Sequence, residues 1–347
     1  MLKKIIIKIL MLVSVLTGLN FAYNLTQYKR DLLNKCEQIV EIKNKQDSTD
    51  IFYFAESSNF NVRETDSIQN SISEITGFFF PSLNLTSINK PATHAGVYKI
   101  WLKNIDLEKN KPKAIVVTLN MRSFDAAWIH SKLETQLQES VVLVQPYPNI
   151  FNRFLLSLQA FDNKTDEQRD QDMQNDWKKT QLVFPFDFKY KTVRDWDVSY
   201  GQYGWDMPDG LPEKNKILLT CHYIKAYAFN LNENNPRIKD FDEIADWCNK
   251  NKINLYLNLL AENIEYADSL VGKELVFLMK QNRDYLVKRY SKNNCVVVDN
   301  LENVNGLEFT DQTWTTEHYG YKGRMIIANN LADSLKKQFS KQYKKAY

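Results

Sequence analysis

The sequence is short of glycine, with only 10 in 347 residues. Neither of the common glycine-rich phosphate loops is present, so the nucleotide chemistry they serve has no signature here. Cysteine is scarce as well. Cys36, Cys221, Cys248 and Cys295 stand at spacings that match no zinc pattern. They read equally as one or two disulfides or as free buried thiols. An excess of one charge is also missing. There are 45 basic and 42 acidic residues, a net +3, with lysines and arginines scattered among acids. That describes a solvated surface and points to no nucleic acid. Internal repeats and low-complexity tracts are absent.

What is present supports a sizeable core. Apolar residues make up 44% of the chain and aromatics 13%. The length suits one large domain or two small ones.

The N-terminus stands apart. Lys3, Lys4 and Lys8 precede 15 almost wholly apolar residues, Ile9 to Tyr23; counted from Ile5 the stretch is 19 residues. That is near the ~20 residues of a membrane-spanning helix. A cleaved secretion signal has the same layout, but neither an A-x-A site nor a lipoprotein-type cysteine follows. Residues 1–23 are therefore expected to be an uncleaved anchor, with cleaved secretion as the alternative. Lysines on the inner side place the rest of the chain outside the cytoplasm, in the periplasm or beyond. Residues 24–50 read as a short helix or stalk carrying the domain away from the membrane.

From residue 51 an alternation begins. "IFYFA" (51–55) reads as a strand, 67–79 as a helix, 83–89 as a strand, and 94–105 as a helix. "KAIVVTLN" (113–120) follows as a buried strand and 125–138 as a helix. After a gap come a helix (241–251), a strand (252–261), one long helix (266–292), a strand (295–302) and a closing helix (322–339). This rhythm predicts a three-layer α/β/α domain over 51–347 with a mostly parallel sheet. Residues 139–238 break the rhythm and read as an insertion, part helical, packing over one end of the sheet. Its aromatic stretch 195–206 suits sugar stacking or simple packing.

In a doubly wound sheet, sites form at the carboxyl ends of the strands. Glu56, Ser57 and Ser58 follow the first strand. Asn89, Lys90, Pro91 and His94 follow the second. Asn120, Arg122 and Ser123 follow the third, and Glu262 the fourth. Asp311, Glu317 and His318 lie in the loop before the last helix. Acyl transfer through serine needs a nucleophile, a base, an acid to orient it, and oxyanion donors. Ser57, His318, Asp311 or Glu317, and Asn120 are of the right types. Each also has a plainer reading: Ser57 as a helix cap, His318 as a turn histidine, Asn120 as a turn former. Arg122 suits either an anionic group or a structural ion pair. His94, His130 and His222 read as structural or peripheral.

The arrangement resembles the SGNH, or GDSL-like, hydrolase superfamily. "AESS" stands where that family has G-D-S, "TLNM" where it has G-x-N-D, and "TTEHYGYKGRMIIANNLADSL" resembles its D-x-x-H block and closing helix. The resemblance covers most of 51–138 and 240–340. It departs where Thr315, three before His318, replaces the aspartate, and where the second-block glycine is missing. It implies Ser57 as nucleophile, His318 as base and Asp311 as orienting acid. The Ser57 N–H and Asn120 would be the oxyanion donors, with Arg122 and Glu317 near the substrate. No metal or organic cofactor is implied. The layout of anchor plus outward domain is similar to DltD-like envelope proteins and to SGNH domains that O-acylate polysaccharides. The expected substrate is then an acyl ester of an envelope glycan, with hydrolase and acyltransferase both open and envelope proteins as possible partners. The alternative is a non-catalytic binding or assembly protein on the same scaffold.

Overall fold

The computed structural model describes residues 1–292 and 294–344. Five strands form one all-parallel sheet: β1 (Ile51–Ala55), β2 (Leu85–Asn89), β3 (Ala114–Leu119), β4 (Asn254–Leu259) and β5 (Cys295–Asp299). Their order is β2-β1-β3-β4-β5. The chain winds outward from β1 to β2, then returns to the other side of β1 as β3. The strand order therefore reverses between β1 and β3, and a crevice opens there at the carboxyl edge.

The helices in chain order are α1 (Leu2–Thr26), α2 (Tyr28–Lys35), α3 (Glu37–Lys45), α4 (Ser57–Phe60), α5 (Ile72–Phe78), α6 (Ala95–Lys103), α7 (Ala126–Ile129) and α8 (Lys132–Val142). There follow α9 (Asn149–Ser157), α10 (Asp166–Lys179), α11 (Val193–Gly201), α12 (Pro212–Tyr227), α13 (Pro236–Lys250), α14 (Ile264–Leu270), α15 (Lys273–Tyr290) and α16 (Tyr321–Lys336). Strand side chains alternate between faces. In β1, Ile51, Tyr53 and Ala55 join the α5 and α16 core, while Phe52 and Phe54 join the core with α3, α6, α13 and α15. The expected three-layer α/β/α fold, with an apolar N-terminal helix, is present. Helix α1 is long and apolar enough to cross a membrane.

Three details differ from the reading of the sequence. Residues 24–50 are not a free stalk: Leu32, Cys36, Ile39 and Ile42 are buried in the domain core, as apolar spacing on α2 and α3 demands. The segment 266–292 is two helices, because Gly272 adopts φ +119° and interrupts the helical path. The segment 125–138 is likewise split, at His130 and Ser131, into α7 and α8. Within 139–238, α9 to α12 supply the helical part, and α12 reaches the carboxyl edge through Tyr227. All four cysteines are buried and free.

Candidate active site

Ser57 is the first residue of α4, directly beyond β1, and Glu56 holds the N-cap position. Its hydroxyl is therefore not a cap. It lies 3.0 Å from His318 Nε2, across 261 positions of sequence. That is the distance at which a base removes a proton.

His318 is held from both sides. Its carbonyl accepts the Thr310 N–H at 2.8 Å, and a bridge joins Phe309 to Tyr319. The buried Tyr319 hydroxyl donates to the Ala261 carbonyl at 2.8 Å. On the other side Glu317 pairs with Arg122, Nε to Oε1 at 2.5 Å and Nη2 to Oε2 at 2.9 Å. Burial lowers the His318 pKa below the ordinary imidazole value, against the opposing charge of Glu317. The ring is then neutral at pH 7 and able to accept a proton.

Asn120 occupies the centre. Its Nδ2 donates to Glu56 Oε1 and to Glu317 Oε2, both at 3.0 Å, and its Oδ1 accepts the Arg122 N–H at 2.9 Å. One amide thus ties the residue before Ser57 to the residue before His318. An amide nitrogen carries two hydrogens, and both are engaged. Asn120 is consequently a positioning residue in this structure rather than a free oxyanion donor.

The other candidate residues are engaged with partners of their own. Asp311 does not orient the ring. Its Oδ1 accepts the Thr313 N–H at 2.9 Å and the Thr313 hydroxyl at 3.0 Å, a local turn that satisfies the carboxylate at short range. Arg122 makes the structural ion pair, with Glu317, and also reaches Thr315 Oγ1 at 3.3 Å. His94 caps α6 through Nδ1, which accepts the Gly96 N–H, and its Nε2 lies 2.7 Å from Glu134. Most of the stretch 195–206 is α11 and its end; Trp196 is core, against Phe188 and Tyr190.

The residue that sequence reasoning missed is Asn61. Its Nδ2 lies 3.2 Å from His318 Nδ1 and 3.0 Å from Nε2. Its signal was its position, one helical turn beyond Ser57, where a side chain shares the face of the nucleophile.

Below this layer the acids are crowded. Burial, then the charge of Glu317, pushes Glu56 up to about 7. Burial pushes Asp125 up to about 7 and lifts Glu262 well above the carboxylate range. The Tyr227 hydroxyl donates to Glu262 Oε2 at 2.6 Å. A cavity of about 740 Å³ opens beside the His318 loop, lined in part by Trp314, His222, Tyr266 and Leu219. Among the described residues no group of His, Cys, Asp and Glu is arranged to hold a metal ion. No protein-family model and no curated protein matches the chain.

Proposed function

We propose that this protein is a serine-dependent acyl esterase or O-acyltransferase of the SGNH type, anchored in a membrane and acting outside the cytoplasm on acyl esters of envelope glycans. The observation that carries the reading is the 3.0 Å contact between Ser57 Oγ and a neutral, half-buried His318 at the carboxyl edge of the sheet. The layout of apolar helix plus α/β domain supports the membrane side of it.

In this reading His318 Nε2 takes the Ser57 proton as Oγ bonds to the ester carbonyl carbon. The carbonyl electron pair moves to oxygen, and the Ser57 N–H, at the exit of β1, receives that oxyanion. Such a donor is typically worth ~3 kcal/mol. The C–O bond to the leaving alkoxide then breaks, and His318 returns the proton to it. Water or an acceptor hydroxyl reverses the sequence on the acyl-serine. Asn61 lies against the ring, its Nδ2 near both nitrogens, and helps to hold the imidazole in place. The cavity beside Trp314 offers room for the acyl or glycan portion.

One observation favours a second reading, a non-catalytic binding or assembly protein. Asn120 is spent on Glu56 and Glu317, and Asp311 on Thr313, so two of the expected catalytic contacts are not made. The test is labelling of the full-length protein in detergent with a fluorophosphonate probe. Labelling that disappears in Ser57→Ala and in His318→Ala supports the enzyme. An unlabelled, folded wild type transfers the weight to the binding protein.

A further inference from the structure

Helix α9 and the residues that flank it carry large, exposed apolar side chains. Tyr147, Phe151, Phe154 and Leu158 are 54%, 44%, 55% and 61% exposed. Phe151 and Phe154, three apart, share one face of α9; Tyr147 lies just before the helix and Leu158 is its C-cap residue. The opposite face belongs to the domain: Leu156 is buried, and Asn152 Nδ2 donates to the Gln145 carbonyl at 2.9 Å. A soluble surface does not ordinarily collect such side chains in one patch.

The patch is continuous with α1. The Ile150 N–H donates to Asn20 Oδ1 at 2.9 Å, and Asn149 Nδ2 donates to Asn24 Oδ1 at 2.9 Å. An apolar groove of about 650 Å³ runs between the helices, lined in part by Val13, Leu16, Ile150, Phe151 and Phe154. From Ile9 to Tyr28 the chain carries 20 residues without a charge. Its part within α1, Ile9–Thr26, spans ~27 Å at 1.5 Å per residue, close to the ~30 Å of a bilayer's hydrocarbon. The contacts of α9 fall inside this stretch. Beyond it stand the exposed Lys29 and Arg30, and Arg153 on α9 pairs with Asp31 at 3.0 Å. Charge thus lies above the patch, and apolar surface below.

We propose that α9 is a second membrane element, an interfacial helix that sinks Phe151 and Phe154 among the acyl chains beside α1 and seats the domain on the bilayer. A single spanning helix leaves a domain free to tilt; a second contact, linked to it by two hydrogen bonds, holds one face toward the lipid. The occupant of the groove is then a phospholipid acyl chain.

The test uses the full chain in phosphatidylcholine vesicles doped with a phospholipid that carries a diazirine on its acyl tail, followed by peptide mapping. Adducts are expected on α1 and on the 147–158 peptide. In Phe151→Asp/Phe154→Asp the 147–158 adducts should fall at least fivefold while α1 labelling and the circular dichroism spectrum stay unchanged. Labelling of α1 without labelling of α9 in the wild type overturns the proposal and leaves the patch to a membrane-protein partner. Absence of labelling on both helices overturns it too, by removing the bilayer from α1.

Discussion

Glu317 and Arg122, 195 positions apart, form a two-point ion pair at 2.5 and 2.9 Å, with side chains only 2% and 11% exposed. The pair welds the loop carrying His318 to the exit of β3. Removing one partner strands a buried charge, which typically costs ~3–5 kcal/mol. Arg122→Met should lower stability by about that much in urea unfolding. The double variant Arg122→Met/Glu317→Gln should recover most of the loss, because no unpaired charge remains. A single variant as stable as wild type would show the pair to be idle.

Asn120 joins both halves of the site. Asn120→Ala deprives two buried carboxylates of a donor, at ~1–3 kcal/mol for each unsatisfied group. Fluorophosphonate labelling should fall although Ser57 and His318 are untouched. Full labelling at wild-type rate would show that the contact between serine and histidine is held without this amide.

Asn61 should matter to the ring and little to the fold. Asn61→Ala is expected to slow labelling about fivefold, since one net hydrogen bond is worth ~1 kcal/mol. Melting temperature should be almost unchanged, as Asn61 is only partly buried. Asn61→Asp, which places a carboxylate beside the ring, should raise the pH at which labelling begins to fall.

The folded-state pKa of Glu56, about 7, stands above its ordinary value of 4.5. Between those values the native state holds more protons than the unfolded chain, so stability falls as pH rises. Asp125, also pushed up to about 7, acts in the same direction. The shift of Glu56 corresponds to at most about 3 kcal/mol. Glu56→Gln should flatten the decline between pH 4.5 and 7 in urea titrations. His318 acts oppositely and at lower pH: its pKa is depressed, so labelling should weaken only below pH 6.5. An unchanged slope in Glu56→Gln would place the titration elsewhere.

Gly272 supplies the break between α14 and α15. Its φ of +119° is one that L residues rarely adopt, and an added Cβ would lie 3.0 Å from the Glu274 side chain. The side chain can move, but the backbone strain cannot be relieved locally. Gly272→Ala should cost ~1–3 kcal/mol in thermal unfolding, with site labelling retained.

Local patterns were sufficient for the alternation of strands and helices, for the apolar N-terminal helix, and for the residues at the carboxyl edge. Those signals depend on periods of two and 3.6 residues and on where an apolar run stops. A strand such as β1, apolar at every position, announces burial on both faces before any partner is known. The break at Gly272 was visible as a glycine but not as a left-handed one, because φ is set by how α14 and α15 pack.

The roles within the site were decided only by the tertiary structure. Ser57, Asn120 and His318 are singled out by type and position in the chain. Whether an amide faces an oxyanion or two glutamates depends on which side chains converge from β1, β3 and the loop before α16. Glu317 could be read as an orienting acid, and Arg122 as a substrate anchor or one half of an ion pair; each answers the other across the sheet edge. The sequence determined which groups reach the carboxyl edge. Burial then dictated their pairing, because a charge or an amide hidden from water must find its partner among the few side chains within 3 Å.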